Sequence, residues 1–155
     1  MPDSSLGVAQ AFVQAINRAD LAAMRGLMTE DHTFTDALGR SFCGADTMVT
    51  GWRYFFEAFP EYWIRVDTAL PDGPRVALFG EAGGGWKVDG RALTSRWRVG
   101  AAWLAEITDG RVKSWSVYCG TGWAKPPEEA AAGAGDGEGI GVSPLQNHVF
   151  FLYSR

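Results

Sequence analysis

Apolar residues recur with a helical period at the start of the chain. Ala9, Phe12, Val13 and Ile16 share one helix face, and Ser4 or Ser5 is available as the cap. Asn17-Arg18-Ala19-Asp20 breaks the pattern. Asp20 caps a second, short helix that carries Leu21, Met24, Leu27 and Met28 inward. A strand through HTFTDALG follows, then a turn at Leu38-Gly39-Arg40 and a return through Phe42 and Cys43. Gly44-Ala45-Asp46 opens a third helix whose face is Met48, Trp52, Phe55, Phe56 and Phe59, and Pro60 ends it. Beyond Pro60 the period is two. Tyr62, Ile64 and Val66 alternate with Trp63, Arg65 and Asp67, and Pro71-Asp72-Gly73-Pro74 marks a turn. Val76 to Gly80 predicts a strand, with loops at Gly83-Gly84-Gly85 and Asp89-Gly90. Leu93 to Ile107 predicts one long strand bulged at Gly100. Asp109-Gly110 is a hairpin turn, and Val112 to Cys119 closes the sheet.

This order predicts an α+β fold, a cone-shaped α+β barrel. Three N-terminal helices pack on a curved mixed or antiparallel sheet and enclose a pocket. Residues 1–123 form that domain. Residues 124–144, rich in Gly, Ala, Pro and Glu, predict a flexible linker. Residues 145–155 form an apolar tail that either docks as an extra strand or stays a sticky end.

Composition narrows the partners. The formal net charge of −4 and the absence of a basic stripe speak against nucleic acid. No apolar run approaches the ~20 residues that span a membrane. The first residues show neither the basic region nor the apolar core of a secretory leader, so a cytoplasmic protein is expected. Cys43 and Cys119 match no zinc spacing and read as buried free thiols, with a disulfide still open. His32, His148, Cys43 and Cys119 do not cluster in sequence, and GEAGGGWK lacks the spacing of a phosphate loop. No metal and no cofactor is expected.

The candidate chemistry begins at Asp36. On a strand, His32, Phe34 and Asp36 point one way. Either that face is wet and Asp36 belongs to the surface, or it lines a pocket. A carboxyl among aromatic rings is desolvated and becomes a general acid or base. His32 then orients Asp36 or shuttles a proton; otherwise it is a half-exposed residue at the rim. Tyr118 is the leading oxygen donor, ahead of Tyr54 and Tyr62, although which face of its strand looks inward is open. Phe12, Phe34, Trp52, Phe56, Phe59, Trp97 and Trp103 either fill the core or line the pocket. Without a bulge, Trp97, Val99, Ala101 and Trp103 share a face, and small residues between two indoles leave room for a flat apolar ligand. Glu81 is an alternative acid, and Glu106 reads as outward.

Four stretches carry a family resemblance: AFVQAINRADLAAMRGLM, HTFTDALGRSFCG, YFFEAFPEYWI and AAWLAEITDGRVKSWSVY. Over residues 6–122 the chain resembles the nuclear transport factor 2-like superfamily, and within it the SnoaL-like polyketide cyclases and ketosteroid isomerases. The resemblance places the isomerase base at Asp36. It places the isomerase tyrosine at Phe12, which has no donor, and the protonated carboxyl near Trp103, whose indole N–H donates one bond. The late-sheet acid of the cyclases has no match between Lys113 and Gly120. Asp36 with Arg96 or Arg98 imitates part of the Asp-Arg-Asp set of limonene epoxide hydrolases. The implied function is a cofactor-independent isomerase, cyclase or dehydratase acting on a small hydrophobic carbonyl compound by proton transfer. The alternatives are a non-catalytic small-molecule-binding or interaction module, and an epoxide hydrolase-like enzyme. The resemblance also implies a homodimer through the outer sheet face, which would cover Trp63, Trp86 and Trp115.

Overall fold

The computed structural model describes residues 4–128. The tail and most of the expected linker lie outside that range. Helix α1 (Ser5–Asn17) starts at Ser4, whose hydroxyl accepts from Gly7 N at 3.0 Å. It buries Val8, Ala9, Phe12, Val13 and Ile16. Helix α2 (Leu21–Gly26) is capped by Asp20, which accepts from Ala23 N at 3.0 Å, and it buries Met24. Met28 does not extend this helix; it begins β1 (Met28–Thr35). After β2 (Ser41–Cys43), helix α3 (Ala45–Ala58) buries Met48, Trp52 and Phe55, and Phe59 is enclosed just past its end. Phe56, expected on that stripe, is half-buried and leans on Trp52 with ring centres 5.5 Å apart.

The rest is sheet: β3 (Trp63–Asp72), β4 (Arg75–Gly84), the short pair β5 (Lys87–Val88) and β6 (Arg91–Ala92), then β7 (Trp97–Thr108) and β8 (Arg111–Cys119). The main sheet runs β2-β1-β8-β7-β4-β3. Every pair is antiparallel except β1 with β8, where the chain crosses over to pair in parallel. The sheet is mixed and open, with β2 and β3 as its edges, so it forms a cone without closing into a barrel. Asp109-Gly110 makes the expected tight turn, both residues having positive φ, and Asp89-Gly90 does the same between β5 and β6.

Two local expectations fail for identifiable reasons. Gly83 and Gly84 belong to β4, not to a loop. Their lack of side chains serves close approach: a Cβ on Gly83 would lie 2.5 Å from the Trp63 ring, and one on Gly80 would collide with the Arg65 carbonyl. The bulge expected at Gly100 is absent, because β4 and β7 pair without a break from Gly84↔Trp97 to Arg75↔Glu106. The irregularities fall at Val66/Thr68, Glu106/Ile107 and between Met28 and Thr33. There they bend the sheet around α1 and α3.

Edge strand β3 is fastened from outside. Asn17, at the end of α1, donates from Nδ2 to Ile64 O at 2.9 Å and accepts at Oδ1 from Ile64 N at 2.7 Å. One amide thus supplies the two bonds that a neighbouring strand would have made.

Gly80→Ala forces a Cβ into backbone and should lower stability by about 2–3 kcal/mol. Urea unfolding checks this; a loss under about 0.5 kcal/mol would show that β3 and β4 are not held this closely.

Candidate functional site

Strand alternation and the three irregularities decide what looks into the cone. On β7 the inward residues are Trp97, Val99, Ala101, Trp103, Ala105 and Ile107; on β8 they are Val112, Trp115, Val117 and Cys119. Pairing across β4, β7 and β8 sorts them into layers. Near the base, Trp115 faces Ala105, which faces Val76. Next come Val117, Trp103 and Leu78. Above them lies a layer of small groups, Cys119, Ala101 and Gly80, with Val99 and Ala82 beyond it. Trp97 and Tyr62 stand at the mouth, with ring centres 6.0 Å apart.

The lower layers are packed solid. Phe12, Phe34, Trp52, Trp103 and Trp115 are all almost completely enclosed. Phe12 meets Trp115 edge-on at 5.0 Å, and Phe34 meets Trp52 edge-on at 5.8 Å. These residues read from the sequence as either core or pocket wall, and in the structure most of them are core. Val99, Ala101 and Cys119, higher on the same face, are only partly buried.

His32 lies at the base, not the rim. It is fully buried, and its Nδ1–H donates to Val112 O at 2.7 Å. That bond leaves Nε2 as the unprotonated nitrogen, with no partner among the described residues. Burial holds its pKa below the ordinary value, against the opposing pull of the Val112 carbonyl and of Asp31.

Asp36 is buried but not uncommitted. Its Oδ1 accepts from Leu38 N and Arg40 N, each at 2.9 Å, and its Oδ2 accepts from Arg40 Nε at 2.7 Å. The carboxylate organises the turn through Gly39, whose φ is +82°. Arg40 was not anticipated from the sequence, although an Asp followed four residues later by Arg across a glycine turn is its signal. Arg96 and Arg98 were the arginines expected beside Asp36. They pair instead with Glu61 at 2.8 Å and Glu81 at 3.2 Å.

Tyr118 faces away. It is 58% exposed on the outer side of β8, because Val117 and Cys119 take the inward positions. Tyr62 replaces it as the interior phenol. Burial raises its pKa above that of an ordinary tyrosine, with a smaller push from Cys119, so it stays a neutral donor. The Cys119 thiol is also pushed up by burial, partly offset by the Trp123 indole. Trp103 sits beneath the small layer, and its Nε1–H has no partner among the described residues. Cys43 is exposed and Cys119 is not bridged to it.

Trp123 carried no sequence signal. It lies in a single 3-10 turn, Gly122–Ala124, and stacks on Trp97 with ring centres 4.0 Å apart and 18° between planes. Ala124, expected to begin the linker, is buried here. Among the described residues no group of His, Cys, Asp and Glu could hold a metal, and no helix is long and apolar enough to cross a membrane.

Comparison with known proteins agrees with this geometry. Residues 9–115 match the family described as SnoaL-like domain. No curated protein matches the chain. Solved structures share the fold at low identity. A protein named as a SnoaL-like polyketide cyclase from Shewanella denitrificans superposes with a TM-score of 0.69 at 12% identity, over 77% of this chain and 93% of its own. A Catenulispora acidiphila protein with a ketosteroid isomerase-like fold, solved with trimethylamine, gives 0.60 at 18%, over 81% and 89%. An LEH-like epoxide hydrolase from M. tuberculosis gives 0.63 at 16%, over 75% and 82%.

The lowered pKa of His32 fixes a pH dependence. Between its folded value and the ordinary ~6.5, only the unfolded chain takes up the proton, so stability is full above ~6.5 and falls as pH drops through that window. The slope from this group reaches at most about 1.4 kcal/mol per pH unit. His32→Gln should flatten the fall in urea midpoint between pH 7 and 5, whatever it does to stability at pH 7; an unchanged slope would place the titration elsewhere.

Proposed function

The chain belongs to the SnoaL-like domain family, and from that premise we propose that it binds a small, flat, apolar carbonyl compound in the upper part of its cone. The observation that carries this is the small layer of Ala101 and Cys119 directly above Trp103. The Trp103 indole N–H, enclosed and without a partner among the described residues, needs an acceptor. A carbonyl oxygen resting on Trp103 or on the Tyr62 hydroxyl supplies one, with the rest of the molecule against Val99 and Trp97. No cofactor is needed for such binding.

Turnover is a second reading, favoured by one fact: Asp36 is a buried carboxylate just past the end of β1, at the position where the resemblance puts the isomerase base. Three hydrogen bonds leave its Oδ2 one lone pair. Proton abstraction beside the carbonyl would use that lone pair, with Trp103 or Tyr62 holding the oxygen. The bonds to the turn weigh the other way, toward a binding domain in which Asp36 shapes the loop.

One probe separates these readings. 2-Acetylnaphthalene is flat, neutral and enolisable. Binding is read by tryptophan fluorescence and turnover by exchange of its methyl hydrogens in deuterated water. Saturable binding, weakened about tenfold by Ala101→Leu, is the expected result. No binding would remove the reading. Exchange that falls about a hundredfold in Asp36→Asn, with binding kept, would assign the base; binding without exchange would leave a ligand-binding domain.

We also propose a homodimer through the outer sheet face. Of the three tryptophans expected there, only Trp63 lies outside, since Trp115 and Trp86 are buried. Phe79 and Tyr118 are exposed on the same face, 45% and 58%, around the Arg65–Glu81–Arg98 cluster. Sedimentation at micromolar concentration should give twice the chain mass, and Phe79→Glu should halve it. A wild-type monomer would overturn the proposal.

A further inference from the structure

Strand β8 stops before β7 does. Its last pair is Ala101↔Cys119, whereas β7 continues on its other side to Trp97↔Gly84. Residues 97–100 therefore have no strand neighbour on the β8 side. The chain turns away at Gly120 and Gly122, leaving a groove of about 530 Å³ lined by Trp97, Arg98, Val99, Trp123 and Lys125 among others. The groove abuts the small layer, because Val99 and Gly120 adjoin Ala101 and Cys119 in sequence and register.

The groove has an aromatic wall that is already set. Trp97 donates its Nε1–H to Gly85 O at 3.0 Å, and Trp86 donates to the carbonyl of Trp123, also at 3.0 Å. With both indoles anchored, a planar group meets a surface that needs little ordering.

Its charge is one-sided. Among the described residues Arg96, Arg98 and Lys125 line the groove and no acidic residue does. Arg96 is spent: it holds Glu61 at 2.8 Å and also donates to the carbonyls of Leu93, Thr94 and Ser95. Arg98 meets Glu81 through Nε at 3.2 Å and is 70% exposed. Lys125 has no ion pair among the described residues and is exposed. A cation without a counterion among the described residues, beside an indole stack and next to an apolar opening, is suited to an anion attached to a flat body.

We propose that the ligand of this domain is a planar conjugated acid. Its apolar body enters the small layer past Val99, and its carboxylate stays at the rim with Lys125. This rests on the binding reading above and adds the acid group to it.

The test uses the full chain and two matched probes, 2-naphthoate and its neutral methyl ester, with binding read by tryptophan fluorescence. Naphthoate should bind about fivefold more tightly than the ester at low salt. Lys125→Glu should abolish that preference while leaving the ester's affinity unchanged, and about 0.5 M salt should shrink it likewise. Equal affinity for acid and ester, or a preference untouched by Lys125→Glu, would overturn the inference while the binding reading stood. Failure of both probes to bind would overturn both. Circular dichroism of Lys125→Glu, an exposed position, should be that of the wild type; if it is not, Lys125→Ala must erase the same preference or the inference fails.

Discussion

The inward face of β7 sets the dimensions of everything around it. Ten residues of β7 in unbroken register with β4 place Trp97 and Trp103 on one side of the sheet, six residues apart, with only Val99 and Ala101 between them on that side. A bulge at Gly100 would have reversed one end and sent an indole to the outer face. Because the register holds, the two indoles stay on the same face about 20 Å apart at most along the strand, at ~3.3 Å per residue. The neighbours comply with this spacing: Ala82 on β4 and Cys119 on β8 are small where Val99 and Ala101 are small.

The elements were legible in the sequence because each had local signals that agreed: caps at Ser4 and Asp20, the aromatic stripe of α3, the Asp109-Gly110 turn. What local reading missed was long-range. The glycines at 83 and 84 looked like a loop, yet they are strand residues thinned for the Trp63 ring. The parity of β8 was undecidable locally, since its offset arises where Val112 and Ser114 straddle an irregularity against β7. That single offset sends Tyr118 outside and Cys119 inside.

At the site, the sequence named side chains but not the groups they would meet. Asp36 and His32 were correctly placed on one face, and both are buried. Their partners could not be read off. Arg40 and two turn amides converge on Asp36, and a carbonyl eighty residues away claims His32. Buried polar groups must be satisfied, and the groups that satisfy them are brought by the fold. Trp123 is the extreme case: a solitary indole beside a proline-rich stretch that becomes a wall only because β8 ends early.

The amide of Asn17 has a consequence beyond holding β3. An uncovered sheet margin invites a foreign strand to zip along it, one hydrogen-bonded pair after another. By occupying both backbone groups of Ile64, Asn17 interrupts that zipper at its inner end. A helix terminus thereby serves as a guard against strand addition at the edge of the sheet.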